Sequence, residues 1–264
     1  MNVSTTTAKL ATATKNDPRL ASILARDAHA DGKFFYSVKT MGVYCRPSCA
    51  ARLARPDNVR FHATTQGAER AGFRPCKRCK PDQPTIHFAT KESSVGSILV
   101  AKGGRGVCAI LMGDDPGQLV HDLRDRFPGT NLIAILVDRK DDGSGDGNGD
   151  EDRNFEALVS KVKSFVEAPA VGLDLPLDIQ GTGFQRRVWQ ALREIPVGST
   201  ASYTDIANRI GSPKSARAVA QACAANPLAL AIPCHRVVRS DGALSGYRWG
   251  VERKRALLER EVHA

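Results

Sequence analysis

No stretch of this sequence is apolar for long enough to cross a membrane. The longest runs, such as LIAILV at 132–137, fall far short of the roughly 20 residues that a spanning helix needs. The N-terminal stretch MNVSTTTAKLATATKNDP has no apolar core, so no secretory signal is read there. An even complement of cysteines is also missing. Seven cysteines without a secretory signal argue against a disulfide framework and for free or metal-bound thiols in a reducing compartment, the cytoplasm. Internal repeats are lacking too. What remains is ordinary for a chain that buries real cores: 42% of residues are hydrophobic, and 264 residues suffice for about two domains.

Charge is plentiful and uneven. The net charge is +10, but residues 1–90 and 181–264 are basic while 91–180 is acidic. Two basic blocks around an acidic one predict surfaces that meet a polyanion, since neutralising phosphates releases counterions. A solvated basic surface is the alternative reading of the same charges.

Along the chain, residues 1–16 are polar and predicted disordered. Asp17-Pro18 opens a helix with Leu20, Ile23 and Leu24 on one face. FFYSV at 34–38 reads as a strand, Gly42 as a turn, and 65–71 as a short helix ended by Gly72. CKPDQPT marks a module boundary. Beyond it, SILVA (97–101) and VCAILMG (107–113) flank a glycine-rich hairpin, Asp115-Pro116 opens a helix, and LIAILV reads as a buried strand. Phe155, Leu158, Val159, Val162, Phe165 and Val166 keep a helical period. The segment 140–154 has calcium-loop spacing for several residues, but Arg153 stands where a bidentate glutamate is required, so it reads as a flexible acidic loop. The last unit is helical: Phe184, Val188, Trp189, Leu192 and Ile195 mark one helix, Thr204 caps a second, and an Ala-rich third ends near Asn226-Pro227. The second and third, joined by Gly-Ser-Pro, read as a helix-turn-helix with Lys214 and Arg217 where a groove would be met, or as an ordinary helical hairpin. VERKRALLERE makes a final helix.

Two constellations carry chemistry. Cys45-x3-Cys49 and Cys76-x2-Cys79 can each present two thiolates to one tetrahedral zinc ion. Arg46, Arg52 and Arg74 crowd these knuckles and predict a phosphate-facing surface around the metal. The second is Cys234 in LALAIPCHRVVRSDG. Positive neighbours lower a thiol's pKa, and His235 is a base or relay beside it. Cys108 and Cys223, among apolar neighbours, read as structural thiols, and Cys234 could be one too. A reactive thiol near a helix-turn-helix points to methyl transfer from an alkylated base, giving a thioether that hydrolysis does not reverse.

Residues 182–261, with IPCHRVV at their centre, closely resemble O6-methylguanine-DNA methyltransferases, and 31–82, with GVYCRPSC and GFRPCKRCKPD, resemble the zinc module of the Ada family. The resemblance implies a multidomain α+β/α/β protein: a disordered tail (1–16), a zinc module (17–83), a ribonuclease H-like subdomain (84–180) and a helix-turn-helix methyltransferase domain (181–264). It implies that Cys234 accepts the methyl of O6-methylguanine, and of O4-methylthymine. His235 then relays its proton through water toward Glu261, Asn226 braces the turn, and Tyr203 crowds the flipped nucleotide. Arg217 pushes into the duplex, with Lys214, Arg46, Arg52 and Arg74 on phosphates. Cys45, a zinc ligand with Cys49, Cys76 and Cys79, accepts a second methyl from a methylphosphotriester. The implied partner is alkylated double-stranded DNA, met by a monomer. Two departures stand out: Met41 replaces an expected threonine, and no room remains for the family's AraC-type middle domain. An alkylation-sensing transcription regulator and a cysteine hydrolase using Cys234 and His235 are the rival readings.

Overall fold

The computed structural model describes residues 17–137 and 149–263. The tail expected at 1–16 lies outside them. The chain divides into two compact units, Met1–Thr85 with Gly129–Ile133, and Ile86–Pro128 with Ala134–Ala264.

In the first unit, helix α1 (Arg19–Ala25) precedes a four-stranded sheet built from β1 (Phe35–Val38), β2 (Val43–Cys45), β3 (Val59–His62) and β4 (Arg74–Pro75), in the order β3-β1-β2-β4. Leu20 and Ile23 of α1 are buried, whereas Leu24, expected on the same face, is 56% exposed. A seven-residue helix has only about two turns, too few to fill a wide apolar stripe. Gly42 takes φ +62° in the turn between β1 and β2, a conformation that costs glycine little. Helix α2 (Thr65–Arg70) is capped by Thr64, whose hydroxyl accepts the Gly67 amide at 3.0 Å. The parallel pairing of β4 on β2 brings the two cysteine knuckles together: Tyr44 lies opposite Pro75, and the Cys76 amide donates to the Tyr44 carbonyl at 3.0 Å.

The second unit is mixed α/β. Strands β5 (Thr85–Ser93), β6 (Gly96–Gly103) and β7 (Gly106–Gly113) form an antiparallel meander. Helix α3 (Pro116–Arg126) packs on β6 and β7. The run LIAILV does not form the long buried strand expected of it. Only Asn131–Ala134 is extended, as β8, and Leu136 is 71% exposed. An unbroken apolar run marks a buried strand only where both faces are covered. Of the acidic segment 140–154, residues 140–148 lie outside the described residues, and 149–154 begin helix α4 (Gly149–Glu167). The helical period starting at Phe155 thus carries upstream into the acidic stretch.

Helices α5 (Gly183–Arg193), α6 (Tyr203–Arg209), α7 (Ala216–Ala225) and α8 (Val251–Val262) complete this unit, with a two-residue parallel pair β9 (Ala201–Ser202) and β10 (Val237–Val238). Helix α6 starts earlier than Thr204 predicts. Ser202 accepts the Asp205 amide at 3.0 Å and donates its own amide to the Asp205 carboxylate at 2.8 Å, a reciprocal box that places Thr204 inside the helix. The α5 side chain Trp189 is buried and donates to the Ala222 carbonyl of α7 at 2.8 Å. Strand β7 holds the segment after α7 directly: the Ile110 amide donates to Pro227 at 2.8 Å, and the Ala229 amide donates back to Ile110 at 3.0 Å.

Gly106 sits where β7 begins, at φ +140°, with the place of a Cβ only 2.2 Å from the Pro176 carbonyl oxygen. Backbone on both sides leaves nothing flexible to move. Gly106→Ala is expected to destabilise the second unit by about 1–3 kcal/mol, lowering its thermal midpoint by several degrees. An unchanged midpoint in calorimetry would show that the strand start relaxes freely.

Candidate active site and metal site

Three elements place Cys234. Helix α7 ends at Asn226, the β7 pairing fixes residues 227–229, and a single 3-10 turn spans Cys234–Arg236. Asn226 is fully buried and ties these pieces together. Its side-chain oxygen accepts the Leu228 amide at 2.9 Å, and its side-chain NH2 donates to the Ile232 carbonyl at 2.9 Å and to the Cys234 sulfur at 3.2 Å. Asparagine offers an acceptor and a two-proton donor on one rigid amide, which is what the turn requires.

The residues after Cys234 point elsewhere. The 3-10 turn sends the His235 and Arg236 side chains to Glu261 on α8. His235 Nε2 lies 2.8 Å from the Glu261 carboxylate, and the Arg236 guanidinium meets the same carboxylate through Nε at 2.9 Å and through a terminal nitrogen at 2.8 Å. All three residues are buried. Burial pushes the Glu261 carboxyl up, but bonds from His235 and Arg236 outweigh it and hold it down at about 2. Burial holds the His235 pKa below its ordinary value against the pull of Glu261, so the ring is neutral at pH 7. The ionised carboxylate only accepts, so Nε2 carries the ring proton and Nδ1 keeps a lone pair. That Nδ1 is buried and has no protein partner among the described residues.

Cys234 is 4% exposed, and burial pushes its thiol up to about 11 despite the Asn226 bond and the Lys254 charge. This corrects the expectation of a thiol activated by its sequence neighbours. Arg236 is committed to Glu261, and Arg239 is exposed with Asp241 at 3.6 Å. Adjacent charge in sequence is not adjacent charge in space. The same turn carries a neutral base, the lone pair of His235 Nδ1.

The sulfur lines a cavity of about 510 Å³ together with Tyr203, Cys223, Ser245, Tyr247 and Arg248. That volume is in the range of small-molecule sites. The Tyr203 hydroxyl is 2.7 Å from the Ser245 hydroxyl, which also accepts from Lys254 Nζ at 2.9 Å. Lys254 is fully buried and was not singled out from the sequence. Its signal was there: Lys254, Leu257 and Glu261 share the buried stripe of α8, where a charged residue at a core spacing is informative. Cys223, read from its sequence as a structural thiol, is a wall of this cavity, its pKa raised by burial. Arg217, in the first turn of α7, and Lys214 just before it are both exposed.

In the first unit, the sulfurs of Cys45, Cys49, Cys76 and Cys79 lie within 4.8 Å of one another. Tetrahedral zinc with bonds of about 2.3 Å needs sulfurs about 3.8 Å apart, a spacing this cluster can take up. Cys45, Cys49 and Cys76 are buried, and Cys79 is partly exposed. Crowded together, the thiols do not share charge equally: the bond from Cys45 pulls Cys49 down while contact with Cys49 pushes Cys45 far up. A cation is what lets all four ionise. Arg52 and Arg74 are exposed, as expected, but Arg46 is 2% exposed and corrects the phosphate-surface reading. Its guanidinium donates to the Lys80 and Gln83 carbonyls, each at 2.7 Å, clamping the chain that follows the second knuckle.

Comparison with known proteins joins these sites to a family. Residues 183–263 match the family described as 6-O-methylguanine DNA methyltransferase, DNA binding domain, and 18–82 match the metal binding domain of Ada. The bifunctional transcriptional activator/DNA repair enzyme Ada of Escherichia coli is 35% identical, over 96% of this chain and 98% of its own length. That alignment runs over 364 positions against the 264 residues here, so a long segment of the relative has no counterpart in this chain. The inducible methylated-DNA–protein-cysteine methyltransferase of Bacillus subtilis is 33% identical, over 69% of this chain and 94% of its own. The crystal structure of Mycobacterium tuberculosis OGT in complex with DNA superimposes with a TM-score of 0.50 at 35% identity, covering 67% of this chain and 93% of that one. The sulfur set and the matched module together make zinc the cofactor.

The buried triad predicts an acid limb. A carboxyl held below its unfolded pKa adds stability that is present above that unfolded value and is lost as pH falls toward about 2. A histidine held below its unfolded value loses stability as pH falls through about 6.5. Glu261→Gln leaves Arg236 buried without its anion and is expected to cost about 3–5 kcal/mol at pH 7. The deficit relative to the parent protein should shrink below about pH 4.5. Urea unfolding across pH 3–7 measures it, and a deficit constant with pH would remove the ionised triad.

Proposed function

The chain belongs to the Ada family of methylated-DNA–protein-cysteine methyltransferases, and on that premise we propose how its residues divide the work. The protein repairs alkylated DNA by transferring methyl groups to its own cysteine. We assign the acceptor to Cys234, and the observation that carries this is the buried thiol on a cavity wall, held by Asn226, next to a neutral histidine with a free lone pair.

The thiol proton passes through a bridging water to His235 Nδ1, and Glu261 steadies the imidazolium that forms. The sulfur attacks the methyl carbon of O6-methylguanine. A C–S bond forms, the C–O6 bond breaks, and the electron pair leaves with O6. The base takes up one proton in becoming guanine, which balances the one given by the thiol. No water reaches a thioether carbon with enough force to reverse the step, so each molecule acts once. The methylated oxygen lies inside the helical stack, so the nucleotide must swing out into the cavity, and a mispaired base costs less to extrude. Tyr203 lines that cavity and crowds the extruded nucleotide, and O4-methylthymine offers the same chemistry. Helices α6 and α7 act as the helix-turn-helix, with Arg217 entering the duplex and Lys214, Arg52 and Arg74 on phosphates. Residues 84–180 act as the ribonuclease H-like support, a reading favoured by the antiparallel meander with helices packed on it.

The zinc module takes a second methyl, from a DNA methylphosphotriester, on Cys45. Zinc, when bound, keeps the four sulfurs deprotonated at neutral pH. Methylating one thiolate removes one negative charge beside DNA, which raises affinity for phosphate. The activator role in the E. coli relative's name is not carried over, because the alignment passes over a long segment without counterpart here. We place the protein in the cytoplasm, as a monomer, where cysteines outside any disulfide stay reduced or metal-bound.

Titrating the zinc-loaded protein with duplex carrying O6-methylguanine and methylphosphotriesters, followed by peptide mass mapping, tests the assignment. One methyl is expected on Cys234 and one on Cys45. Cys234→Ala should leave O6-methylguanine in the duplex while Cys45 is still methylated. Clearance by Cys234→Ala, or repeated turnovers, would overturn the first acceptor. A methyl on the more exposed Cys79 would overturn the second.

A further inference from the structure

Helix α7 ends against two arginines that the transfer to Cys234 does not use. Arg248, on the loop before α8, is exposed on the wall of the Cys234 cavity, and a terminal nitrogen donates to the Ala224 carbonyl at 3.4 Å. Arg126, the last residue of α3, is half-buried and donates to the next carbonyl, that of Ala225, at 3.3 Å. Ala224 itself lines the cavity, so both guanidiniums sit at its rim. Both bonds are long and go to uncharged oxygens. Among the described residues no carboxylate lies at ion-pair distance from either one. Asp122, one turn back on α3, acts on Arg126 only from farther away and accepts from Gln118 at 2.9 Å. Burial, and after it the Arg248 charge, hold the Arg126 pKa below its ordinary value. One cation is enough to complement the partial negative charge of a helix C-terminus. Here two meet, and they repel.

We propose that Arg126 and Arg248 form a phosphate clamp on the cavity rim, which holds a backbone phosphate next to the nucleotide that swings into the cavity. The inference rests on the proposed extrusion of the damaged base and adds the site that holds the displaced strand. An extruded nucleotide brings its flanking phosphates to the cavity mouth, each with a full negative charge. An anion between the two arginines replaces their repulsion with charge-assisted bonds. Each guanidinium has five donors and spends one on the end of α7, which aims the fork and leaves the other donors for the phosphate. The ten residues of α7 span about 15 Å. A duplex entered by Arg217 at the start of α7 is therefore within reach of the pair at its end.

The test reads binding and transfer separately. The zinc-loaded full chain is given a duplex with one O6-methylguanine, whose damaged strand carries a neutral methylphosphonate at one position at a time. One linkage beside the lesion is expected to cost the parent protein about tenfold in affinity. Arg126→Gln and Arg248→Gln each keep a donor for the helix carbonyl and lose the charge. Each is expected to weaken binding to the all-phosphate duplex by about tenfold, to reduce the salt slope by about one, and to make that same methylphosphonate nearly silent. Arg126→Lys and Arg248→Lys should recover part of the affinity. Transfer, read by mass at Cys234, should slow with duplex by about tenfold more than with the free base O6-methylguanine, which has no phosphate. Variants that still lose as much as the parent at every methylphosphonate would overturn the clamp. Equal slowing with duplex and free base would do so too, since it would mark damage to α7. If the parent protein left Cys234 bare with both substrates, the proposed function would fall, and the binding series would still decide the clamp.

Discussion

The Cys234 thiol is almost wholly buried at the wall of a cavity, and the polar groups around it answer to that burial. A thiol pushed up to about 11 is ionised in roughly one molecule in ten thousand at pH 7. In the proposed transfer to Cys234 the proton therefore leaves as the methyl arrives. His235, buried on the same turn, supplies the base in that proposed reaction. A buried imidazole accepts a proton only if something stabilises the cation it becomes. Glu261 does so, but a buried carboxylate must first be kept ionised, and Arg236 does that with two bonds to it and a third, at 2.6 Å, to the Ile195 carbonyl. Each buried charge thus calls for the next, and the chain of need ends only where α8 and the end of α5 are locked to the 234–236 turn.

Much of this was legible in the sequence at the level of residue type. The knuckle spacing names a four-sulfur site, and a thiol followed by histidine and arginine marks Cys234 as a candidate, while the parts of Asn226 and Glu261 came only with the family resemblance. Helix positions followed from apolar periods, because packing against a core obeys the same period. Direction was the illegible part. Arg236 and Arg46 look alike in one dimension, each a cation one or two places after a key cysteine. One closes an ion pair with α8, and the other is folded inward onto two carbonyls. Neither fate is visible without knowing where a 3-10 turn or a knuckle aims its side chains. The thiol's raised pKa was missed for the same reason, since desolvation depends on what covers the sulfur from elements far along the chain.

Local chemistry misled where two patterns competed. Thr204 is a reasonable cap, but Ser202 with Asp205 satisfies two amides at once and wins. LIAILV has the composition of a buried strand, yet composition carries no information about whether a second face is covered. These errors moved element ends and left the site untouched, because the site is fixed by Asn226, by the β7 pairing and by the buried triad rather than by the helix caps.

The two cysteine sites solve opposite electrostatic problems. At Cys234 charge is scarce, so the protein stores a neutral thiol and a neutral base and creates charge only during transfer. In the zinc module charge is abundant: four thiolates around a divalent ion carry a net −2. Buried Arg46 makes sense in that light. A guanidinium whose two side-chain bonds go to uncharged carbonyls is costly to bury unless an anion lies near. The buried Asp31 carboxylate, within range of the Arg46 charge, is one such anion. Arg46 thus braces the chain after the second knuckle from inside, while Arg52 and Arg74 are exposed.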